Sequence, residues 1–131
     1  MAARLDRDGE LPPETVAQAR LRRVHEFIEQ RLADPALSPR MIADAHHVSL
    51  RYLYKLFEAE QRGVAGWIRQ RRLERCRRDL LDPALATLPV RAIAARWGLP
   101  EPAHFSRLFR AAYGVAPREY RATMGGASTP G

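Results

Sequence analysis

The 131-residue sequence predicts an all-α fold: two helix-turn-helix subdomains joined by a long linker helix, about seven helices in all and homeodomain-like in plan. Three observations carry this expectation. Apolar residues recur at helical spacing along most of the chain, and no stretch shows the alternation of a strand. Helix punctuation (Asp-Pro, Ser-Pro and Gly) falls between the periodic segments. The chain also resembles itself at an offset of about fifty residues.

The elements follow in order. Residues 1–19 carry Pro12-Pro13 and mixed charges with little periodicity, and are expected to form a flexible N-terminal segment. The first helix-turn-helix subdomain is expected over 20–63. Its first helix covers roughly 18–33, with Leu21, Val24, Ile28 and Leu32 inward, and Asp34-Pro35 ends it. Ser38 caps the second helix and Pro39 takes its first position; Met41, Ile42 and Ala45 form its apolar side. After a turn at His47-Val48, a third helix starts behind Ser49 and runs to about Gln61, with Leu53, Leu56 and Phe57 inward and Gly63 as its stop. Residues 64–84 are expected as the linker, a helix over roughly 65–81 with Trp67, Ile68, Leu73, Cys76 and Leu80 in one stripe.

The second subdomain is expected over 85–122. A fifth helix runs through about 89–97, Gly98 and Leu99 make the turn, and a sixth helix from near Pro102 buries Phe105, Leu108 and Phe109 before Gly114. A short last helix follows Pro117 and includes Tyr120. Residues 123–131 read as a flexible tail.

The repeat sets RMIADAHHV at 40–48 against RAIAARWGL at 91–99, and YLYKLFEAEQRGVAGWI at 52–68 against HFSRLFRAAYGVAPREY at 104–120. Each copy supplies a short helix, a sharp turn, a buried apolar residue and a second helix, the parts a helix-turn-helix needs. Gly98 suits the second turn because glycine reaches φ > 0 without strain; His47 holds the matching place in the first copy.

With the apolar residues of the third helix inward, Arg51, Tyr54, Lys55 and Glu58 share its outer face. The equivalent face of the sixth helix holds Ala103, Ser106, Arg107 and Arg110. Arg51, Lys55 and Arg107 carry donors that match guanine O6 and N7, Ser106 donates or accepts, and Ala103 fits a thymine methyl. Ser38 and Ser49 at helix N-termini, with Arg91, Arg96 and Arg118, are phosphate candidates.

Net charge is +7, and the division is uneven. Residues 1–63 hold ten Lys/Arg and ten Asp/Glu, whereas residues 64–131 hold twelve Arg and five Asp/Glu. Such asymmetry points to a polyanion partner, double-stranded DNA in this context. Six arginines lie between 69 and 78, and these are expected to divide between solvent and DNA backbone.

The stretch AHFSRLFRAAYGVAPREYR at 103–121 resembles the second-module signature of the AraC/XylS family of bacterial transcription regulators. Its marks fall at His104, Phe105, Ser106, Arg107, Phe109, Gly114, Pro117, Tyr120 and Arg121. VSLRYLYKLF at 48–57 and RRLERCRRDLLDP at 71–83 are similar to the first module and the linker, so the likeness covers about 20–122. The resemblance implies a seven-helix fold, and recognition helices that enter successive major-groove faces. It implies transcriptional regulation, most often activation through contacts with RNA polymerase. Carried over by position, the DNA readers are Arg51, Tyr54, Lys55, Ala103, Ser106 and Arg107, with Tyr52 and His104 beside the backbone. The chain departs from the pattern at Pro100, Glu101 and Pro102, where Glu101 brings negative charge to the start of the sixth helix. No effector or dimerisation domain fits in residues 1–19, so the chain is either a short stand-alone regulator, one monomer to a site, or a piece of a longer one.

Other function classes find no support. No apolar run reaches the ~18–20 residues that span a bilayer, and the charged start shows no secretory signal, so a cytoplasmic protein is expected. His25, His46, His47 and His104 do not stand at metal-ligand spacing with Cys76, which itself lies on an apolar stripe. No Gly-rich phosphate loop, H-E-x-x-H or G-x-S-x-G occurs, and no catalytic residue, metal or cofactor is expected. The one rival of a different class is a protein-interaction module that kept the fold without DNA binding; Glu58, Glu60 and Glu101 favour it.

Overall fold

The structure, a computed structural model, describes residues 13–125. The expectations for the first twelve residues and for 126–131 lie outside the described residues. Among the described residues every regular element is helical: α1 (Val16–Gln30), α2 (Pro39–Ala45), α3 (Leu50–Leu56), α4 (Gly63–Leu80), α5 (Val90–Arg96), α6 (Pro102–Tyr113) and α7 (Pro117–Tyr120). A 3-10 turn at Pro83–Leu85 and a π turn at Arg121–Gly125 complete them.

Several boundaries differ from the sequence expectation, each for a local reason. Helix α1 starts at Val16, inside the segment expected to be flexible, because Thr15 and Gln18 close a capping box. The π turn likewise carries helical backbone into the expected tail. Helix α3 stops at Leu56 rather than near Gln61, and the chain closes in turns through Glu58 N–H to Lys55 C=O and Glu60 N–H to Phe57 C=O. Phe57 and Val64 are buried in one core, so the connection must double back; a longer helix would carry Val64 away. Gly63 therefore opens α4 instead of ending α3. On α2 the buried alanine is Ala43, two residues before the expected Ala45, which is exposed.

Two hydrophobic cores form, one per module. The first gathers Val24, Ile28, Leu32, Leu37, Ile42, Ala43, Leu53, Phe57, Val64 and Ile68. The second gathers Leu73, Cys76, Leu80, Ile93, Ala94, Leu99, Phe105 and Phe109. Helix α4 runs through both: Val64 and Ile68 serve the first core, Leu73, Cys76 and Leu80 the second. Trp97, half-buried, packs against both. The side chains of α4 are thus covered on most sides, and this corrects the reading of its arginines. Arg71 pairs with Glu29 at 2.6 Å and also with Glu74, Arg75 pairs with Glu29 at 2.7 Å, and Arg77 lies over the Tyr113 ring at 5.3 Å. Arg72 is buried. Only Arg69 and Arg78 of the six are exposed without a partner among the described residues.

Candidate nucleic-acid interface

The two turns are built alike. In the first, His47 has φ 55°; in the second, Gly98 has φ 80°. Both lie between an amide that reaches back to the preceding helix (Val48 to Ala43, Leu99 to Ala94) and a helix end that releases the chain. His47 is the only non-glycine residue with positive φ among the described residues, which identifies this turn as the strained one. The paired positions Ile42/Ile93 and Ala43/Ala94 are all buried, as the repeat requires.

These turns set the outer faces of α3 and α6. Burial of Leu53 and Phe57 leaves Arg51, Tyr54 and Lys55 exposed, Tyr54 to 51%. Burial of Phe105 and Phe109 leaves Ala103, His104, Ser106, Arg107 and Arg110 exposed. Neither Lys55 nor Arg107 is covered by another helix. Tyr52 is half-buried, and its hydroxyl accepts from Arg20 Nη1 at 3.1 Å while the same guanidinium sits 5.3 Å from the ring. Arg20, unremarked in the sequence, thereby joins the α3 face from α1.

The phosphate candidates divide. Ser38 Oγ accepts from Met41 N–H at 3.2 Å and Ser49 Oγ from Tyr52 N–H at 3.0 Å, so both hydroxyls serve as helix caps. Arg96 is exposed and approaches Asp79 at 3.9 Å, a weak pairing. Arg91 and Arg118 are exposed and line one cleft of about 300 Å³ with Pro102, Phe105 and Ser106. The cleft brings the starts of α5, α6 and α7 together. Helix α6 has no side-chain cap: Glu101 holds the N-cap place without bonding the first turn, so backbone N–H groups of a 12-residue helix are open to an anion. Arg40 was missed by the sequence reading, although the repeat pairs it with Arg91; it is exposed at the start of α2.

Other chemistry-bearing side chains are occupied structurally. Burial beside Asp79 pushes the Cys76 thiol up to about 12, which makes it a poor nucleophile at neutral pH. His25 stacks on Trp67 at 4.3 Å and meets Phe57 edge-on at 5.5 Å. Arg121 donates to the carbonyls of Leu88 at 2.6 Å and Leu85 at 2.7 Å, tying the residue after α7 to the α4–α5 connection. Among the described residues no cluster of His, Cys, Asp or Glu is placed to hold a metal ion, and no helix is long and apolar enough to cross a membrane.

Comparison with known proteins agrees with this geometry. Residues 42–123 match the family termed Helix-turn-helix domain. Over 101 residues, 77% of the chain, it is 43% identical to the transcriptional activator NphR of Rhodococcus sp; the chain spans 29% of that protein's length. A transcriptional regulator with an AraC-type DNA-binding domain from Chromobacterium violaceum is 28% identical with a TM-score of 0.73, over 88% of this chain and 97% of that one. The DNA-binding domain of AdpA, solved in complex with a target DNA, shares the fold at 20% identity and a TM-score of 0.75, over 86% of this chain and 98% of that one. With its two matched turns, its shared α4 and this likeness, the chain belongs to the AraC-type helix-turn-helix family of DNA-binding transcription regulators.

Proposed function

We propose that the chain binds double-stranded DNA sequence-specifically, with α3 and α6 lying in adjacent major-groove segments. Arg51, Tyr54 and Lys55 on α3, and Ala103, Ser106 and Arg107 on α6, read base edges. Tyr52, His104 and Arg110 flank the backbone. Arg91 and Arg118, with the open start of α6, take phosphates; Arg40 does the same for the first module. The observation that carries this reading is the repeated one: two exposed, cation-bearing helix faces, each behind a turn of positive φ and each over its own core.

The naming of NphR as an activator supports activation as the outcome; the protein partner we propose for that step is RNA polymerase. One chain occupies one site, in the cytoplasm, without a cofactor or metal. The proposed chemistry is recognition, with no catalytic step.

Selection of bound sites from random duplex DNA tests this directly, followed by titration of the recovered site at two salt concentrations. A bipartite consensus whose affinity falls steeply with salt supports the reading. No enrichment of any sequence, or binding indifferent to salt, refutes it and favours the interaction-module alternative.

A further inference from the structure

Two modules that read one DNA segment must be held at a fixed separation and angle, and the structure contains a contact that joins both modules to α4 at one point. Arg72 projects from α4 and is buried. Its Nε donates to the Leu32 carbonyl at 3.0 Å and its Nη2 to the Asp34 carbonyl at 2.5 Å, so it ties down the turn that follows α1 in the first module. The other side of the same guanidinium meets the second module. A Cβ placed on Gly98 would lie 2.7 Å from the Leu32 carbonyl oxygen and 2.8 Å from Arg72 Cζ, so the turn before α6 rests against the clasped carbonyl itself. Gly98 is therefore glycine for two reasons, its φ of 80° and the absence of room. Around this point Trp97 packs on both cores, donates Nε1–H to Asp79 at 2.7 Å and carries Arg75 over its ring at 5.5 Å.

We propose that Arg72, closed against Gly98, is the positioning residue that sets the register between the two recognition helices and so the spacing of the half-sites the chain accepts. It touches no base. It acts by joining the α1–α2 turn, in the module that carries α3, to the α5–α6 turn, which leads directly into α6. A linker helix alone fixes the distance along its axis, but each module could still rock about it. A buried, planar group bonded to one module and walled by the other removes that freedom. The inference rests on the DNA-reading proposal for its functional consequence and on the fold alone for its geometry.

The experiment has two arms, each with the full 131-residue chain. In the first, nitroxide labels are placed at Ala59→Cys and Glu119→Cys, both exposed and one in each module; buried Cys76 does not compete. Pulsed dipolar spectroscopy without DNA should give one narrow distance for the parent chain and a broadened or displaced one for Arg72→Met. In the second, affinities are compared for the selected site and for the same site with one base pair inserted between its halves. The insertion moves one half along and around the helix axis, so simultaneous engagement is lost and the parent should weaken about 100-fold. Arg72→Met should weaken by less than about tenfold, because its modules adapt. A variant that only lost stability would keep the full spacing penalty. Arg72→Lys, which keeps the charge and one donor, should fall between, and it decides the matter where Arg72→Met does not fold. A narrow, unmoved distance together with an undiminished spacing penalty in the folded variants overturns the proposal. A parent that selects no DNA sequence refutes the functional reading, while the distance arm still judges the clasp.

Discussion

At the residue scale, the left-handed positions separate by their surroundings, and substitutions should sort accordingly. Nothing lies within 4 Å of a Cβ built on Gly114, whereas Gly98 faces backbone and a guanidinium below 3 Å. Gly114→Ala should cost about 1–2 kcal/mol, the strain of a left-handed alanine. Gly98→Ala should cost clearly more, and denaturant midpoints at constant m-value would show the difference. His47 is the inverse case: it bears φ 55° with an exposed side chain, and His47→Gly should gain about 0.5–1 kcal/mol. That histidine was legible as a turn residue because the repeat sets it opposite Gly98. The close approach at Gly98 was not legible, since nothing local signals that Leu32 and Arg72 converge there from 66 and 26 positions upstream. His25 adds a pH dependence. Burial lowers its pKa below the ordinary 6.5, opposed by Glu60 and Glu29 and aided by Arg71. The unfolded chain then binds the proton first, so stability is full above about pH 6.5 and declines as the pH falls from there toward the lowered folded value. Thermal midpoints between pH 7 and 5 should show this slope, and His25→Phe should flatten it. An equal slope in that variant assigns the effect elsewhere.

At the element scale, the caps explain both what was readable and what was not. Ser38 and Ser49 stand immediately before periodic apolar segments, and both cap as the sequence indicated. The Thr15–Gln18 box was hidden because it precedes the apolar pattern of α1 and lies in a stretch whose composition suggested disorder. The length of α3 was hidden for another reason: helix propensity continues through Glu58 and Glu60, and only the demand to bury Phe57 and Val64 together breaks it. The outer faces of α3 and α6 were readable because inward Leu53, Phe57, Phe105 and Phe109 fix them by periodicity. Helix α6 offers the sharpest element-level test. Its N-cap Glu101 is exposed, makes no cap bond, and immediately precedes Pro102, which lines the cleft of Arg91 and Arg118. Glu101→Ser should stabilise the fold by about 0.5–1 kcal/mol through a bond to the first turn. The same change removes a like charge from the DNA face, so it should tighten binding to the selected site. Tighter DNA binding without added stability would mean that the hydroxyl does not cap.

At the scale of the whole molecule, the formal charge misstates where cations meet the outside. By sequence the second half holds the entire +7. In the fold, Arg71 and Arg75 are paired with Glu29, Arg72 is buried on backbone carbonyls, and Arg121 is spent on Leu85 and Leu88. At the starts and outer faces of the two turn-helix pairs the exposed cations are more evenly shared: Arg40, Arg51 and Lys55 on the first module, Arg91, Arg107, Arg110 and Arg118 on the second. Two kinds of arginine therefore predict two kinds of behaviour. Arg91→Ala and Arg40→Ala should each weaken binding on all sequences alike and reduce the slope of log affinity against log salt by about 0.9, one phosphate contact each. Arg107→Ala should instead cost about 1–3 kcal/mol and relax preference at a single base pair. Arg71→Ala should lower the thermal midpoint, because Glu29 is left with Arg75 alone and Glu74 loses its ion pair, yet leave the salt slope unchanged. Counterion release counts only charges that reach the polyanion, so a drop in slope for Arg71→Ala equal to that for Arg91→Ala would mean that the interface lies along α4 rather than across α3 and α6.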